Sequence, residues 1–122
     1  MERLGIHADA RGFVFEPLTG GELGAQRNCH VVINLPGAVR GNHQHALRTE
    51  ILAVVGPALV RYREHGELKD VTVGENEAVR FVFPPGVPHA IRNTGEQPQV
   101  ILSFNDQLHD PGRPDVTPVA LL

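Results

Sequence analysis

Two histidines one residue apart, His43 and His45, and Glu50 five positions further on are the residues whose types and spacing most directly indicate chemistry. Successive side chains of a β-strand point to opposite faces, so residues two apart leave the same face. If this segment is a strand, both imidazoles point toward one place, as two ligands of a metal ion must. The spacing therefore predicts a metal site with Glu50 as a further ligand.

A second segment, "PPGVPH", predicts where a third imidazole lies. Pro85 and Gly86 fit the central positions of a type II turn, and Pro88 restricts the preceding residue to an extended conformation. His89 therefore begins a strand at a rigidly defined place. If this strand lies beside the first, three imidazoles and the Glu50 carboxylate converge on one divalent ion. Zinc is favoured, and manganese, iron, nickel or copper also suit such a nitrogen and oxygen ligand set.

The elements that position these residues are predicted to be short strands. The chain has 13 glycines and 10 prolines, and apolar alternation recurs between turn signals such as "LPG", "VGP" and "EHGE". The predicted strands are 12–18, 26–35, 41–45, 50–55, 58–63, 68–73, 79–83, 89–92 and 100–105. Strand 50–55 is apolar on both faces and is expected to be buried on both. The proline-rich tail 110–119 is expected at the surface or across a partner subunit, because proline cannot pair centrally in a sheet.

Composition excludes several classes of protein. The chain has 122 residues, which predicts a single domain over residues 1–122. Its net charge is −3 with scattered arginines, so no nucleic-acid partner is expected. Cys29 is the only cysteine, which excludes an intrachain disulfide. No apolar run approaches the ~20 residues of a spanning helix and no signal peptide is visible, so no membrane partner and a cytoplasmic location are expected.

Two segments resemble the paired motifs of the cupin family. The first, residues 37–56, contains His43, His45 and Glu50 between two glycines. The second, residues 84–93, contains "PPG" and His89. Ala78 stands where the second motif usually opens with glycine, and the first motif is one residue shorter than is common. The resemblance implies an all-β double-stranded β-helix, a small antiparallel jelly-roll barrel, with a metal inside one mouth.

A narrower likeness covers most of the chain. The segments "DARGFVFEPL", "LPGAVRGNHQH", "PPGVPHAIRNTG" and "SFNDQLHDPGRPD" are similar to the C-terminal cupin domain of bifunctional capsular-polysaccharide enzymes. That resemblance implies a metal-dependent C3 epimerase of a nucleotide-linked 4-keto sugar, followed in the pathway by a separate reductase domain. No Gly-x-Gly-x-x-Gly fingerprint occurs, so hydride transfer by this chain is excluded. We also expect a homodimer.

Such a reaction requires a proton-transfer group and contacts to an anionic diphosphate. Tyr62 and His30 are the candidates for proton transfer. Arg11 and Arg40 are the candidates for contacts to the substrate. Plainer interpretations remain open: Tyr62 can serve packing alone, and the four ligand-type residues can form a hydrogen-bonded polar network without metal.

Two other functions remain open from the sequence. The same three histidines and one glutamate could hold iron in an oxygen-using cupin dioxygenase. A non-catalytic module that binds a small sugar or acid would have the same pattern. Fold and ligands do not separate these functions, because function depends on the rest of the pocket.

Overall fold

The computed structural model describes residues 1–122 and contains twelve β-strands and one short helix. The strands are β1 (Glu2–Arg3), β2 (His7–Asp9), β3 (Gly12–Val14), β4 (Asn28–Asn34), β5 (Val39–His45), β6 (Glu50–Val55), β7 (Ala58–Glu64), β8 (Glu67–Val73), β9 (Ala78–Phe83), β10 (His89–Asn93), β11 (Gln99–Asn105) and β12 (Val116–Pro118). The helix, α1, spans Gly20–Gly24. No helix has both the length and the apolar character needed to cross a lipid bilayer.

Ten strands form two five-stranded sheets. The first sheet has the order β1-β9-β6-β11-β4 and the second has the order β12-β5-β10-β7-β8. Strands β2 and β3 form a separate hairpin, and neighbouring strands pair antiparallel in all three sheets. The predicted all-β antiparallel barrel is confirmed.

The core lies between the two sheets, where inward-facing apolar side chains of both layers meet. Its members are Leu52, Val54, Ala58, Val60, Tyr62, Val73, Val79, Phe81, Phe83, Val87, Ile91 and Ile101. A smaller cluster on the outer face of the first sheet joins Leu18 to Ile51 and Phe104. Strand β6 is therefore buried on both faces, as its sequence predicted.

Each of the nine predicted strands has a counterpart, and the differences are at the ends of the chain. The strand predicted over 12–18 ends at Val14, because the following segment leaves the hairpin and brings Leu18 onto the first sheet. Strands β1, β2 and β12 were missed, since two or three residues show no periodicity. The tail contributes β12 at the edge of the second sheet, consistent with its exclusion from a sheet centre.

A β-bulge in β5 sets the direction of the side chains around the site. His43 pairs with His89 and Gly41 pairs with Ala90, so Asn42 has no partner on β10. Both bulge residues have positive φ, +86° at Gly41 and +54° at Asn42. The extra residue reverses the alternation, so Arg40 and His43 face the same cavity although they are three positions apart.

Gly41 is required at the bulge because of its positive φ and also because the neighbouring strand leaves no space for a side chain. A Cβ at this position would lie 2.7 Å from the carbonyl oxygen of His89, whereas a Cβ on Gly37, which also has positive φ, would meet nothing within 4 Å. Gly37→Ala should therefore lower the free energy of unfolding by about 1–2 kcal/mol through backbone strain alone. Gly41→Ala should lower it by roughly 2–4 kcal/mol because steric overlap adds to the strain.

Urea unfolding of the two variants beside the wild type measures both free energies. Equal losses in the two variants would show that the close approach of Gly41 to the His89 backbone contributes nothing.

Candidate metal centre

The four residues predicted as metal ligands come together from both sheets. His43 and His45 lie on β5, His89 is the first residue of β10, and Glu50 is the first residue of β6 in the opposite sheet. Each offers one ligand atom, and these four atoms all lie within 4.8 Å of one another. The site therefore spans the two layers of the barrel, and a shared ion would tie the layers together.

The predicted turn before His89 is present and connects to the other ligand strand. The Val87 amide donates to the Pro84 carbonyl at 3.3 Å, and Gly86 has φ +83°, as the third position of a type II turn requires. The Gly86 amide also donates to the His45 carbonyl at 2.8 Å. These backbone contacts fix the start of β10 against the end of β5.

The His89 ring is held in one orientation by its neighbours. It stacks on Phe83 with ring centroids 4.2 Å apart and planes inclined by 4°. Its Nδ1 lies 3.0 Å from the Val87 carbonyl oxygen, which can only accept, so Nδ1 carries the proton. Its Nε2 lies 2.9 Å from Oε1 of Glu50. With the Nδ1 proton directed at Val87, this contact is attractive only if a proton or a bound cation lies between Nε2 and Oε1.

His45 presents a second group that lacks a partner. The residue is buried, and neither ring nitrogen makes a hydrogen bond of acceptable geometry. Its Nε2 is 3.7 Å from Oε2 of Glu50 and its Nδ1 is 3.2 Å from Oδ2 of Asp115. The second contact has a hydrogen-bond distance, but its angle is poor. A buried nitrogen with no partner, directed at a carboxylate, is expected where an ion completes the site.

The distances approach those around a common ion. Zinc binds imidazole nitrogen at about 2.0–2.1 Å in a tetrahedral arrangement, so two of its ligand atoms lie roughly 3.4 Å apart. The four atoms here lie within 4.8 Å of one another, so the widest pair would have to close by about 1.4 Å around the ion. The residue types present fit a divalent cation such as zinc, and the other metals that accept imidazole and carboxylate fit as well.

The protonation states of two of these residues also suit metal binding. Burial, assisted by the neighbouring rings of His89 and His45, lowers the pKa of His43 to about 4. This imidazole is therefore neutral at pH 7 and its lone pair is free. Burial alone would raise the pKa of the Glu50 carboxyl, but contacts with the His45 and His89 rings outweigh it and hold that pKa below its usual range. Glu50 is thus ionised.

An open cavity of about 270 Å³ lies beside the four residues and contains two further predicted site residues. His30 on β4 and Arg40 on β5 line it together with His43, Glu50 and His89. The guanidinium of Arg40 donates to the Ile33 carbonyl at 3.3 Å and is otherwise exposed. Apolar side chains of the inner barrel, among them Leu52 and Ile91, complete the wall.

The other two predicted site residues lie away from this cavity. Tyr62 is buried in the core, with its ring 5.5 Å from Phe83 and 6.1 Å from Phe81, and it is not among the cavity-lining residues. Arg11 lies on the β2–β3 hairpin with 89% of its side chain exposed and pairs with Asp9. Tyr62 pairs with His89 across β7 and β10, but its side chain packs in the core, and Arg11 lies on the separate hairpin. The roles predicted for the two residues therefore stay predictions.

Sequence reasoning missed a set of polar residues behind the ligands. Ser103 on β11 donates to Oε2 of Glu50 at 3.0 Å, and Asp115 from the tail lies against His45. Ser103 and Asn105 share the inner face of β11 with the core residue Ile101, and two polar residues on a buried face were a readable signal. No such signal marked Asp115, because only the folded chain brings the tail to β5.

Comparison with known protein sequences identifies relatives of similar size and larger ones. The chain is 28% identical over 125 residues to the spore coat polysaccharide biosynthesis protein SpsL of Bacillus subtilis, covering 94% of this chain and 83% of that protein. It is 27% identical over 113 residues to UDP-2-acetamido-2,6-beta-L-arabino-hexul-4-ose reductase of Pseudomonas aeruginosa. That match covers 90% of this chain but 30% of the reductase.

Comparison with solved structures likewise identifies proteins that match nearly the whole of this chain. The capsular polysaccharide assembling protein CapF of Staphylococcus aureus superposes with a TM-score of 0.71 at 26% identity, covering 97% of this chain and 33% of CapF. A dTDP sugar isomerase of Desulfovibrio desulfuricans gives a TM-score of 0.75 at 22% identity, covering 98% of this chain and 82% of the isomerase. The sugar 3,4-ketoisomerase QdtA of Thermoanaerobacterium thermosaccharolyticum was solved in complex with TDP. It gives a TM-score of 0.70 at 16% identity, covering 95% of this chain and 84% of QdtA.

The predicted cupin fold is thereby confirmed, since these structures share the barrel over nearly the whole chain. The chain spans about a third of the length of CapF and of the Pseudomonas reductase. A family model, described as the polysaccharide biosynthesis C-terminal domain, matches residues 7–117. The chain therefore belongs to the polysaccharide biosynthesis C-terminal domain family.

Proposed function

We propose that this chain is a metal-dependent epimerase that inverts C3 of a nucleotide-linked 4-keto sugar in polysaccharide biosynthesis. The observation that carries the proposal is the group of three imidazoles and one carboxylate, within 4.8 Å of one another, beside a cavity that also holds His30 and Arg40. Three of the four ligand-type residues and a proton-transfer candidate thus line one open pocket.

The family and the named relatives support the substrate class. SpsL and CapF are named for polysaccharide biosynthesis or assembly, and the Pseudomonas relative is named for a UDP-linked hexulose. The reductase activity in that last name is not assigned to this chain, which matches 30% of the protein and lacks the dinucleotide-binding glycine pattern. Epimerisation of a keto sugar requires no hydride donor. It is therefore compatible with the partial match to the reductase and with the missing glycine pattern.

The reaction is balanced without an oxidant or a reductant. The C3–H bond breaks and a base takes the proton, and a proton from solvent water then returns to C3 from the opposite face of the ring. A divalent ion held by His43, His45, Glu50 and His89 would polarise the neighbouring carbonyl as a Lewis acid. The chain's own contribution is a base in reach of the pocket, and we assign this role to the His30 imidazole, which lines the cavity from the other sheet.

The size of the cavity fits part of such a substrate. Ligand pockets commonly enclose roughly 300–1,000 Å³, and this cavity has about 270 Å³. It can therefore take one sugar ring while the nucleotide remains outside. Arg40 is largely exposed where it lines the cavity, and its guanidinium suits the anionic diphosphate between the two parts.

The first prediction of the proposed function concerns metal binding. The chain should bind one Zn²⁺, and Zn²⁺ at a hundred times its dissociation constant should add about 2.7 kcal/mol of stability, raising the melting temperature by roughly ten degrees. Glu50→Gln should weaken binding at least tenfold, because the amide oxygen carries no charge. Glu67→Gln is the matched control, since Glu67 is exposed at the start of β8. Chelator competition and metal analysis measure both effects.

The second prediction concerns the reaction. In D₂O, the metal-loaded protein should place one deuterium at C3 of a nucleotide-linked 4-keto-6-deoxy sugar, seen as a mass increase of about one unit and located by NMR. His30→Gln should lower the exchange rate by roughly 10²–10⁴-fold, the usual contribution of a general base. Metal removal should abolish exchange.

The alternatives give different outcomes in the same assay. Thermal stabilisation by the sugar nucleotide without exchange would show a binding module, and substrate-dependent O₂ uptake with bound iron would show a dioxygenase. Either outcome, with several sugars tried, contradicts the epimerase.

The third prediction concerns substrate binding by Arg40. Arg40→Gln should raise KM roughly tenfold or more with a smaller change in kcat, because the diphosphate contact exists both before and during the reaction. Arg63→Gln is the control, since Arg63 is exposed and does not line the cavity. Steady-state kinetics of the exchange reaction separate the two parameters, and equal KM values in the variants would remove Arg40 from the binding site.

A further inference from the structure

A connected row of buried polar side chains, here called the circuit, lies behind the metal centre. Ser103, Asn105, Arg48 and Asp115 are all at most 9% exposed, and they come from β11, from the loop after β5 and from the tail. At one end Ser103 contacts Glu50, and at the other end Asp115 contacts His45. The circuit thus joins two ligand-type residues that belong to opposite sheets.

Arg48 fixes the direction of each hydrogen bond in the circuit, because a guanidinium can donate hydrogen bonds but cannot accept them. Its guanidinium donates to Oδ2 of Asp115 at 2.7 Å and to Oδ1 of Asn105 at 3.4 Å. The amide nitrogen of Asn105 must then donate to Oγ of Ser103, at 3.2 Å. The single Ser103 proton is therefore left for Oε2 of Glu50, at 3.0 Å. Every link has one donor and one acceptor.

Asp115 lies at the end of the circuit beside His45. Its Oδ1 accepts the Leu47 amide at 2.5 Å and its Oδ2 lies 3.2 Å from Nδ1 of His45. A carboxylate at this nitrogen favours the tautomer with the proton on Nδ1, which leaves the Nε2 lone pair directed at the site. The contact lacks hydrogen-bond geometry in this structure, so the His45 ring would have to rotate on ion binding to complete it.

We propose that Asp115 and Ser103 are positioning residues of the metal centre, acting through Arg48 and Asn105 as one unit that sets the His45 tautomer and the Glu50 orientation. The inference rests on the metal site of the proposed function. It gives the tail after β11 a role: Asp115 precedes β12, whose pairing with His43, Gln44 and His45 holds the aspartate at the ligand strand.

The experiment measures metal binding, independently of any sugar substrate. Asp115→Asn and Ser103→Ala should each lower the affinity for Zn²⁺ by roughly 10–100-fold and change the visible spectrum of the Co²⁺-loaded protein. Asp106→Asn is the matched control: Asp106 accepts the Thr49 amide at 3.0 Å, as Asp115 accepts that of Leu47, but contacts no histidine. The control should keep wild-type affinity and spectrum.

Two further measurements separate positioning from a purely structural role. The His45 ring nitrogens, observed by NMR in the metal-free protein, should lose the Nδ1–H tautomer in Asp115→Asn and keep it in Asp106→Asn. The double variant Asp115→Asn/Ser103→Ala should lose less affinity than the product of the single losses, because each change breaks the same circuit. If Asp115→Asn does not fold, Ser103→Ala decides the affinity and spectral comparison.

The outcomes distinguish this inference from the proposed function. If the wild type binds Zn²⁺ and both single variants bind it within about twofold with unchanged Co²⁺ spectra, the positioning role is overturned and the metal centre stands. If the wild type binds no metal, the metal centre and the positioning role are both overturned. A lowered melting temperature of the metal-free variants with unchanged affinity would show a structural role and likewise overturn the inference.

Discussion

The crowding of electron-rich atoms inside the barrel is the constraint on which the rest of the structure depends. Glu50 enters from one sheet, three imidazoles enter from the other, and their ligand atoms lie within 4.8 Å of one another. Buried groups of this kind are stable only if a positive charge lies between them, whether a proton or a metal ion. The protein fixes the lone pairs in place, and an ion would supply the charge.

The surrounding scaffold serves this arrangement through backbone geometry more than through side-chain contacts. The bulge at Gly41 and Asn42 reverses the alternation of β5, and the turn before His89 donates a backbone proton to the strand of His45. Phe83 supports the His89 ring by stacking. These features hold the ligand residues on strands instead of loops, and side chains on strands are positioned more precisely than side chains on loops.

The barrel itself does not select a reaction. Proteins named as isomerases, an assembling protein and a reductase share this fold or this sequence pattern with the chain. What distinguishes one chemistry from another is the set of groups that line the cavity. Here these include His30, Arg40 and three of the four ligand-type residues, His43, Glu50 and His89. The proposed epimerase uses these groups for proton transfer and charge stabilisation, and it requires no second cofactor.

The sequence by itself determined the β-class, the positions of nine strands and the four residues that meet at the site. Periodicity and turn residues are local properties, and the two-residue spacing of His43 and His45 holds in any strand. Only the tertiary structure decided the sides on which more distant residues lie. The bulge placed Arg40 in the cavity, the hairpin carried Arg11 away from it, and core packing enclosed Tyr62. Likewise Asp115 reaches His45 because β12 pairs with β5, a contact about 70 residues apart in the chain, which local sequence patterns do not encode.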